Sequence, residues 1–263
     1  MIKPLYTLSG FCVGALVGMT GVGGGSLMTP LLVLLFGIHP ATAVGTDLLY
    51  AAVTKCFGTL VHGYGGTVDW RIVRRLALGS VPMTLLSVGA LFYFDLRGGA
   101  LARLTTDLLG GALLATALAL ILRASLPARY PALLPQLPFD YRSGARRTAA
   151  LTILFGGVLG VLVSISSVGA GAIGVTVLTL LYPQLPTARI VGSDIAHAVP
   201  LTLIAGLGHW MIGSVDMHIL GSLLLGSVPG IVLGSYAALR VPDRPLRWAL
   251  AVVLTIVGGK LLL

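Results

Sequence analysis

Two aspartates and one lysine lie in stretches of otherwise apolar sequence, where a charged side chain needs a partner or a function. Asp47 and Asp194 each end a Gly-Thr/Ser-Asp triplet near the start of a predicted helix, directly after the hydroxyl residues Thr46 and Ser193. An ionisable group in such an apolar setting is a candidate for a functional role. A carboxylate near a helix start can also cap loose backbone amides. Gating and capping therefore both stay open for the two aspartates.

Lys55 lies deep in the same predicted helix as Asp47, about 18 Å from its start at a rise of about 1.5 Å per residue. A fixed positive charge at that depth would attract an anion. Pairing with an aspartate and snorkelling along a short path are the alternatives. Tyr50 shares the helix face of Asp47, and His197 shares that of Asp194, at a spacing of three residues. One histidine beside one aspartate is weak evidence for a proton relay.

Two glycine clusters interrupt long uncharged runs at matched places, in residues 21–26 (GVGGGS) and 167–172 (SVGAGA). A glycine cluster breaks a helix and leaves bare N–H groups at the start of the next one. Such groups and the positive end of the helix dipole favour anions, and the missing side chains let an anion approach closely. The alternative is that these glycines only allow close helix packing.

The predicted binding residues combine the two turns with the polar residues around them. Thr20 and Ser26 flank the first turn, whereas Ser164, Ser166 and Ser167 precede the second. Their hydroxyls could donate to an oxyanion or bond back to their own helix. The full set of predicted binding residues is Thr20, Val22, Gly23, Gly24, Gly25, Ser26, Thr46, Asp47, Tyr50, Lys55, Ser167, Val168, Gly169, Ala170, Gly171, Ser193, Asp194 and His197.

The composition is that of an integral membrane protein. Of the 263 residues, 56% are hydrophobic and 10% are charged, whereas soluble domains carry about 25% charged residues. The net charge of +9 comes from arginines concentrated in short stretches between apolar segments, which indicates the positive-inside bias rather than nucleic-acid binding. The apolar N-terminal segment runs into the first glycine turn, so we interpret it as retained structure and not as a signal peptide.

Neither an enzyme nor a metalloprotein is indicated by the sequence. Cys12 and Cys56 lack the close spacing of a metal or redox motif, and the five histidines are scattered without matching ligands. A nucleophile with a suitably spaced base is not found. We therefore expect no catalytic residue, no metal and no cofactor.

The two halves of the chain repeat each other. Residues 22–25 (VGGG) match residues 168–171 (VGAG) at an offset of 146 (169 − 23). Residues 44–47 (VGTD) match residues 191–194 (VGSD) at an offset of 147 (194 − 47). Internal duplication of this kind is typical of transporter folds.

The repeats are predicted to have opposite orientations in the membrane. Residues 65–75 carry three arginines, whereas their counterparts in 213–218 carry no lysine or arginine, so the two loops should face opposite sides. We expect an all-α polytopic membrane protein with two inverted-topology repeats, each a glycine-broken helical hairpin followed by three transmembrane helices. The boundaries are residues 1–122 for the first repeat, 123–147 for a basic, proline-rich cytoplasmic linker, and 148–263 for the second repeat.

Two stretches carry a resemblance to a known family. They are GALVGMTGVGGGSLMTPLLVLLFGIHPATAVGTDLL in residues 14–49 and GGTVDWRIVRRLALGSVP in residues 65–82. With their degenerate second copies they resemble the TauE/SafE sulfite exporters of the four-toluene-sulfonate uptake permease superfamily, over nearly the whole chain. The resemblance implies export of sulfite, of an organosulfonate such as sulfoacetate, or of another small anion across a bacterial inner membrane. It does not fix the anion.

The expected function is export of a small sulfur-containing anion by alternating access, with the anion held between the two glycine turns near the membrane midplane. The alternatives are an anion channel, an importer of another small oxyanion or carboxylate, and a membrane enzyme subunit that acts on a sulfur compound. Expected partners are the small anion and membrane lipid, without nucleic acid, and a homodimer stays open. The expected location is the bacterial inner membrane, crossed several times.

Overall fold

The computed structural model describes residues 4–20, 24–93, 99–125, 141–237 and 243–262. Every regular element in these ranges is helical, and the α-helices are numbered here in chain order. The first half contains α1 (Pro4–Thr20), a short 3₁₀ turn (Gly24–Ser26), α2 (Met28–Leu34), α3 (Pro40–Tyr64), α4 (Trp70–Tyr93) and α5 (Gly99–Ser125). The second half contains α6 (Tyr141–Ser166), α7 (Ala172–Leu181), α8 (Thr187–Met211), α9 (Met217–Ala237) and α10 (Asp243–Leu262).

Five helices in the described ranges are long and apolar enough to cross a membrane, namely α4, α5, α6, α8 and α9. Shorter apolar helices, among them α1 and α7, accompany them. These elements confirm the prediction of an all-α polytopic membrane protein. The predicted linker, residues 123–147, is helical at both ends, because α5 continues to Ser125 and α6 begins at Tyr141. Residues 126–140 lie outside the described residues, so the boundary between the repeats stays a prediction.

Proline and glycine set helix boundaries at matched places in the two halves. Helix α3 begins at Pro40, and α8 begins directly after Pro186. Proline is tolerated at a helix start because the first amides have no acceptor within the helix. The connections from α3 to α4 and from α8 to α9 each turn through a glycine with positive φ, Gly66 at 64° and Gly213 at 82°. The same strained turn, which only glycine adopts readily, is therefore built twice.

The first helix of each half packs against a helix of the other half. Helix α1 packs along α9, and its counterpart α6 packs along α4. Glycines allow both contacts, because a Cβ at Gly10 would overlap the carbonyl oxygen of Leu223 and a Cβ at Gly156 would overlap that of Leu76. The two contacts are equivalent in the repeats, at offsets of 146 (156 − 10) for the glycines and 147 (223 − 76) for the leucines. The halves thus interlock and bury one another's apolar faces.

Helices α3 and α8 form the central pair of the molecule. Leu49 of α3 lies against Gly206 of α8, whereas Gly58 of α3 lies against Ile195 of α8. Later residues of α3 therefore meet earlier residues of α8, so the two helices run antiparallel. Since α3 and α8 are equivalent in the repeats, this arrangement is the one that inverted repeats require. The orientation of each half in the membrane stays a prediction.

Candidate functional site

The structure brings the two glycine turns into contact. A Cβ at Gly25 would overlap the carbonyl oxygen of Ser167, so the first turn lies directly on the backbone of the second. Ser26 is 1% exposed and Ser167 is 5% exposed, which places both turns inside the protein. Residues 21–23, which include the predicted Val22 and Gly23, lie outside the described residues.

The second turn has a backbone that depends on glycine. Helix α6 ends at Ser166, and Ser167 then adopts a left-handed conformation with φ 59° while its amide donates to the carbonyl of Val163 at 2.8 Å. Gly169 and Gly171 follow with φ of 125° and 128°, values that L side chains rarely adopt. A left-handed residue such as Ser167 commonly follows the end of a helix, but that residue is normally glycine. The presence of serine at this position therefore needs a separate reason.

Helix α7 begins directly after the second turn, as predicted. The amides of Gly174 and Val175 donate to the carbonyls of Gly169 and Gly171, at 3.2 and 2.7 Å. The earlier amides of α7 have no acceptor within the helix. The positive end of the α7 dipole and its first amides thus lie at the second turn.

The first turn differs from this prediction. A helix was expected to begin directly after Gly25, but residues Gly24–Ser26 form a 3₁₀ turn and α2 begins only at Met28. Helix α2 has seven residues and no side-chain cap at its start. Its dipole is correspondingly short. The two turns therefore contribute unequally to the electrostatics of the site, and the second turn provides the longer helix.

Asp47 connects the two halves at the turns. Its Oδ2 accepts hydrogen bonds from the Thr29 hydroxyl of α2 at 2.6 Å and from the Ser167 hydroxyl at 2.8 Å. The side chain is 0% exposed, and its Oδ1 has no hydrogen-bond partner among the described residues. The partners of Asp47 are hydroxyls of other elements and not the loose amides that a capping carboxylate would bind. The Ser167 hydroxyl is also the reason for serine at the left-handed position.

Lys55 is a buried positive charge that interacts with the two buried carboxylates. It is 3% exposed, so it is enclosed by protein rather than snorkelling, and its charge interacts with those of Asp194 and Asp47. Asp194 is 0% exposed and lies against α7, where a Cβ at Gly174 would overlap its Oδ1. Charged groups from both halves therefore converge beside the two turns.

Thr46 and Ser193 are engaged elsewhere. The Thr46 hydroxyl accepts a hydrogen bond from the amide of Asp216 at 3.0 Å, and the Ser193 hydroxyl accepts one from the amide of Asp69 at 2.8 Å. The two contacts are equivalent in the repeats, at an offset of 147 (193 − 46), and we call them the loop latches. Each lies near the start of its helix. Because α3 and α8 run antiparallel, the latches close opposite ends of the central pair.

Tyr50 and His197 occupy equivalent positions on α3 and α8 and are both 0% exposed. The Tyr50 hydroxyl donates to the carbonyl of Gly10 at 3.3 Å, whereas Nε2 of His197 shares a hydrogen bond of 2.8 Å with the Ser80 hydroxyl of α4. The charge of Lys55 also reaches His197. These two residues therefore tie the central pair to its neighbours, α1 and α4.

Several hydroxyls near the turns bond back to their own helix. Thr20 donates to Leu16, and Ser164 and Ser166 donate to Gly160 and Leu162, at 2.6 to 2.8 Å. The side chains of Val168 and Ala170 pack in apolar clusters, so these residues can offer only their backbone to a ligand. The Ser26 hydroxyl, by contrast, is buried without a partner among the described residues.

Thr29 and Ser80 contact the predicted residues Asp47 and His197 but are not among the predicted binding residues. The signal for Thr29 was its hydroxyl, three positions after Ser26 in an uncharged run. Ser80 stands in a Gly-Ser-Val-Pro motif that recurs around Ser227, and the Ser227 hydroxyl shares a hydrogen bond of 2.8 Å with Thr54. A repeated hydroxyl inside an apolar helix was the signal. Within the described ranges, no three histidine, cysteine, aspartate or glutamate side chains come together to hold a metal ion.

Comparison with known proteins identifies the family. The family model described as Sulfite exporter TauE/SafE matches residues 6–261. The chain belongs to this family. The probable membrane transporter protein YjnA of Bacillus subtilis (strain 168) is 39% identical over 256 residues, which cover 97% of this chain and 98% of that protein. The probable membrane transporter protein YdhB of the same organism is 26% identical over 258 residues, covering 98% and 99%. No solved structure matches.

A third relative, a probable membrane transporter protein of Xylella fastidiosa (strain 9a5c), is 28% identical over 240 residues and covers 88% of this chain and 83% of that protein. The family and its relatives, together with the apolar helices, establish a multi-pass membrane transport protein of the bacterial cell membrane. The names of the relatives are those of transporters and not of enzymes.

Proposed function

We propose that this TauE/SafE family member exports sulfite or an organosulfonate such as sulfoacetate by alternating access. The anion would lie between the two glycine turns, near the membrane midplane. The observation that carries this proposal is the contact of Gly25 with Ser167, whose hydroxyl donates to Asp47. Two helix breaks from different halves meet there, and the buried charge of Lys55 interacts with the same aspartate. Helix breaks and a fixed positive charge are what a small oxyanion needs in a low-dielectric setting.

The donors for the anion come from three sources. The first amides of α7 lack helical acceptors, the Ser26 hydroxyl is buried without a partner among the described residues, and Lys55 supplies the charge. The glycines of the turns leave room for an oxyanion to approach the backbone. Asp47 opposes the anion, since it already occupies the Ser167 hydroxyl. We infer that Asp47 gates the site by holding α2 and the second turn together, rather than only capping a helix.

Alternating access requires that the two ends of the site open in turn. The loop latches close both ends of the central pair, one through Thr46 and Asp216 and the other through Ser193 and Asp69. With both latches formed, the site is occluded. We propose that breaking one latch while keeping the other gives the inward-open and outward-open states. Inverted repeats would make these two states equivalent, because each latch is the counterpart of the other.

Export is the energetically favoured direction for a simple anion carrier. With the cell interior negative, moving one negative charge outward gains about 2.3 kcal/mol per 100 mV. An anion that accumulates inside the cell would leave without a further energy source. Proton co-export would reduce this gain for each proton that is carried.

Counterflow in proteoliposomes tests the carrier proposal. Vesicles preloaded with unlabelled sulfite or sulfoacetate should transiently accumulate the labelled anion from outside. A channel would equilibrate the label without overshoot. Absence of exchange for sulfite, for sulfoacetate and for other small anions would rule out the carrier.

Lys55→Gln tests the site itself, and the exposed Lys260→Gln is the matched control. Loss of the buried positive charge should weaken anion binding at least tenfold, equivalent to about 1.4 kcal/mol, whereas the control should bind as the wild type does. Binding is measured as the anion-dependent rise in melting temperature of the purified protein. Unchanged affinity in folded Lys55→Gln protein would remove Lys55 from the site.

A further inference from the structure

The charged centre of the protein carries an excess of negative charge. Asp47 and Asp194 are each 0% exposed and Lys55 is 3% exposed. The ammonium group interacts with both carboxylates, but it can balance only one of them. Buried charges are stable only when they are paired or neutralised. With all three groups ionised, the centre has a formal charge of −1 before any substrate enters.

The described residues of the elements around this centre offer little further charge. Helices α2 and α7 contain no titratable residue. On α3 and α8 the other titratable groups that face the centre are the Tyr50 hydroxyl and His197, and His209 bonds through Nε2 to the carbonyl of Ser164 at 2.9 Å. Helices α4 and α9 present the hydroxyls of Ser80 and Ser227 there, while their titratable groups lie toward the helix ends. The arginines of the described part of α6 lie at the start of that helix, away from the second turn, and Asp107 of α5 is exposed.

Adding an anion to this centre deepens the imbalance. A monovalent anion beside Lys55 would bring the charge of the ionised centre from −1 to −2 in a place closed to solvent. One proton on the carboxylate pair returns the charge to −1. The unpartnered Oδ1 of Asp47 is one atom that can hold this proton.

We propose that the anion binds only when the pair of Asp47 and Asp194 holds one proton, so that the protein moves one proton with each monovalent anion in the same direction. This inference rests on the proposed function, and it adds the coupling ion. We assign the proton to the pair and not to one residue, because both carboxylates interact with Lys55. The cost is that movement of a monovalent anion becomes electroneutral, so the electrical gain of its export is given up. The benefit is that the transmembrane pH difference can then regulate the flux.

The test uses a probe whose own charge does not change with pH. Sulfite itself takes up a proton near neutral pH and would carry protons unaided, so methanesulfonate is used, which stays a monovalent anion. Proteoliposomes contain a pH-sensitive dye and are clamped electrically with potassium and valinomycin. An inward sulfonate gradient should acidify the lumen as the anion enters, with about one proton per methanesulfonate.

Binding gives a second readout on the purified protein. The dissociation constant for methanesulfonate should be constant at low pH and rise about tenfold per pH unit once the pair loses its proton. Asp47→Asn and Asp194→Asn each leave one carboxylate balanced by Lys55. Both variants should bind the anion with no pH dependence, and any anion that they still move should enter without acidifying the lumen. Asp107→Asn is the matched control and should behave as the wild type does.

The outcomes separate the inference from the proposed function. Failure of the wild-type protein to transport any sulfonate or sulfite would refute the proposed function. Transport of methanesulfonate by the wild type with no change of lumen pH would refute the inference alone, even if neither variant folds. Acidification that persists in either asparagine variant, or that disappears in His197→Gln alone, would also overturn the inference.

Discussion

Ser167 carries two opposed energetic effects that substitution can separate. Its hydroxyl donates to the buried Asp47 carboxylate at 2.8 Å, and hydrogen bonds to charged groups contribute roughly 1.5–3 kcal/mol. Its backbone, with φ 59°, is left-handed, which costs a residue with a Cβ roughly 1–2 kcal/mol. Glycine stands at the equivalent position of the first half, Gly21 (167 − 146). The structure thus tolerates strain at Ser167 in exchange for the bond to Asp47.

Ser167→Ala removes the hydrogen bond and keeps the strain, so it should destabilise the protein by roughly 1.5–3 kcal/mol. Ser167→Gly also removes the hydrogen bond but relieves the strain. The glycine variant should therefore be more stable than the alanine variant by about 1 kcal/mol, after allowance for the greater freedom of glycine in the unfolded chain. The expected order of stability is wild type, then glycine, then alanine.

The measurement is the free energy of unfolding in one detergent, followed by tryptophan fluorescence. Thr29→Val provides a companion variant, because Thr29 donates to the same Oδ2 at 2.6 Å and is 0% exposed. The double variant Thr29→Val/Ser167→Ala should deviate from additivity, since the two hydroxyls share one acceptor. An alanine variant as stable as the wild type would refute the contribution of the hydrogen bond. Equal stability of the alanine and glycine variants would refute the strain.

Two further predictions test the contact between the turns and the orientation of the repeats. Gly25→Ala should sharply reduce the yield and melting temperature of folded protein, because its Cβ would overlap the Ser167 carbonyl. Gly111→Ala in α5 is the control, since a Cβ there meets nothing within 4 Å. It should raise stability by up to about 1 kcal/mol. Similar melting temperatures for the two variants would contradict this contact. Single cysteines at Thr67 and Ser214, in a background without native cysteines, should react with a membrane-impermeant maleimide from opposite sides; labelling from one side would contradict inversion.

Apolar composition, uncharged runs and repeated motifs determined the class of protein, its all-helical structure and its duplication from the sequence alone. These features depend on local properties of the chain, because hydrocarbon excludes charge and requires the backbone to satisfy its own hydrogen bonds. Asp47, Asp194 and Lys55 were recognisable for the same reason, since a charge in an apolar helix needs an explanation. The sequence offered Lys55 as a possible partner of either aspartate, and in the structure its charge interacts with both.

Only the tertiary structure decided which hydroxyl forms a hydrogen bond with which buried polar side chain. Thr29 and Ser167 reach Asp47 across 18 and 120 residues of chain, and Ser80 reaches His197 across 117. Such pairings depend on how α1 and α6 pack against helices of the opposite half. They also depend on which helix faces can approach closely because they carry a glycine. The repeated motif shows that Thr46 and Ser193 are equivalent. It does not show that their hydroxyls accept hydrogen bonds from the amides of Asp216 and Asp69. Side-chain direction follows from packing between distant segments, which no local pattern records.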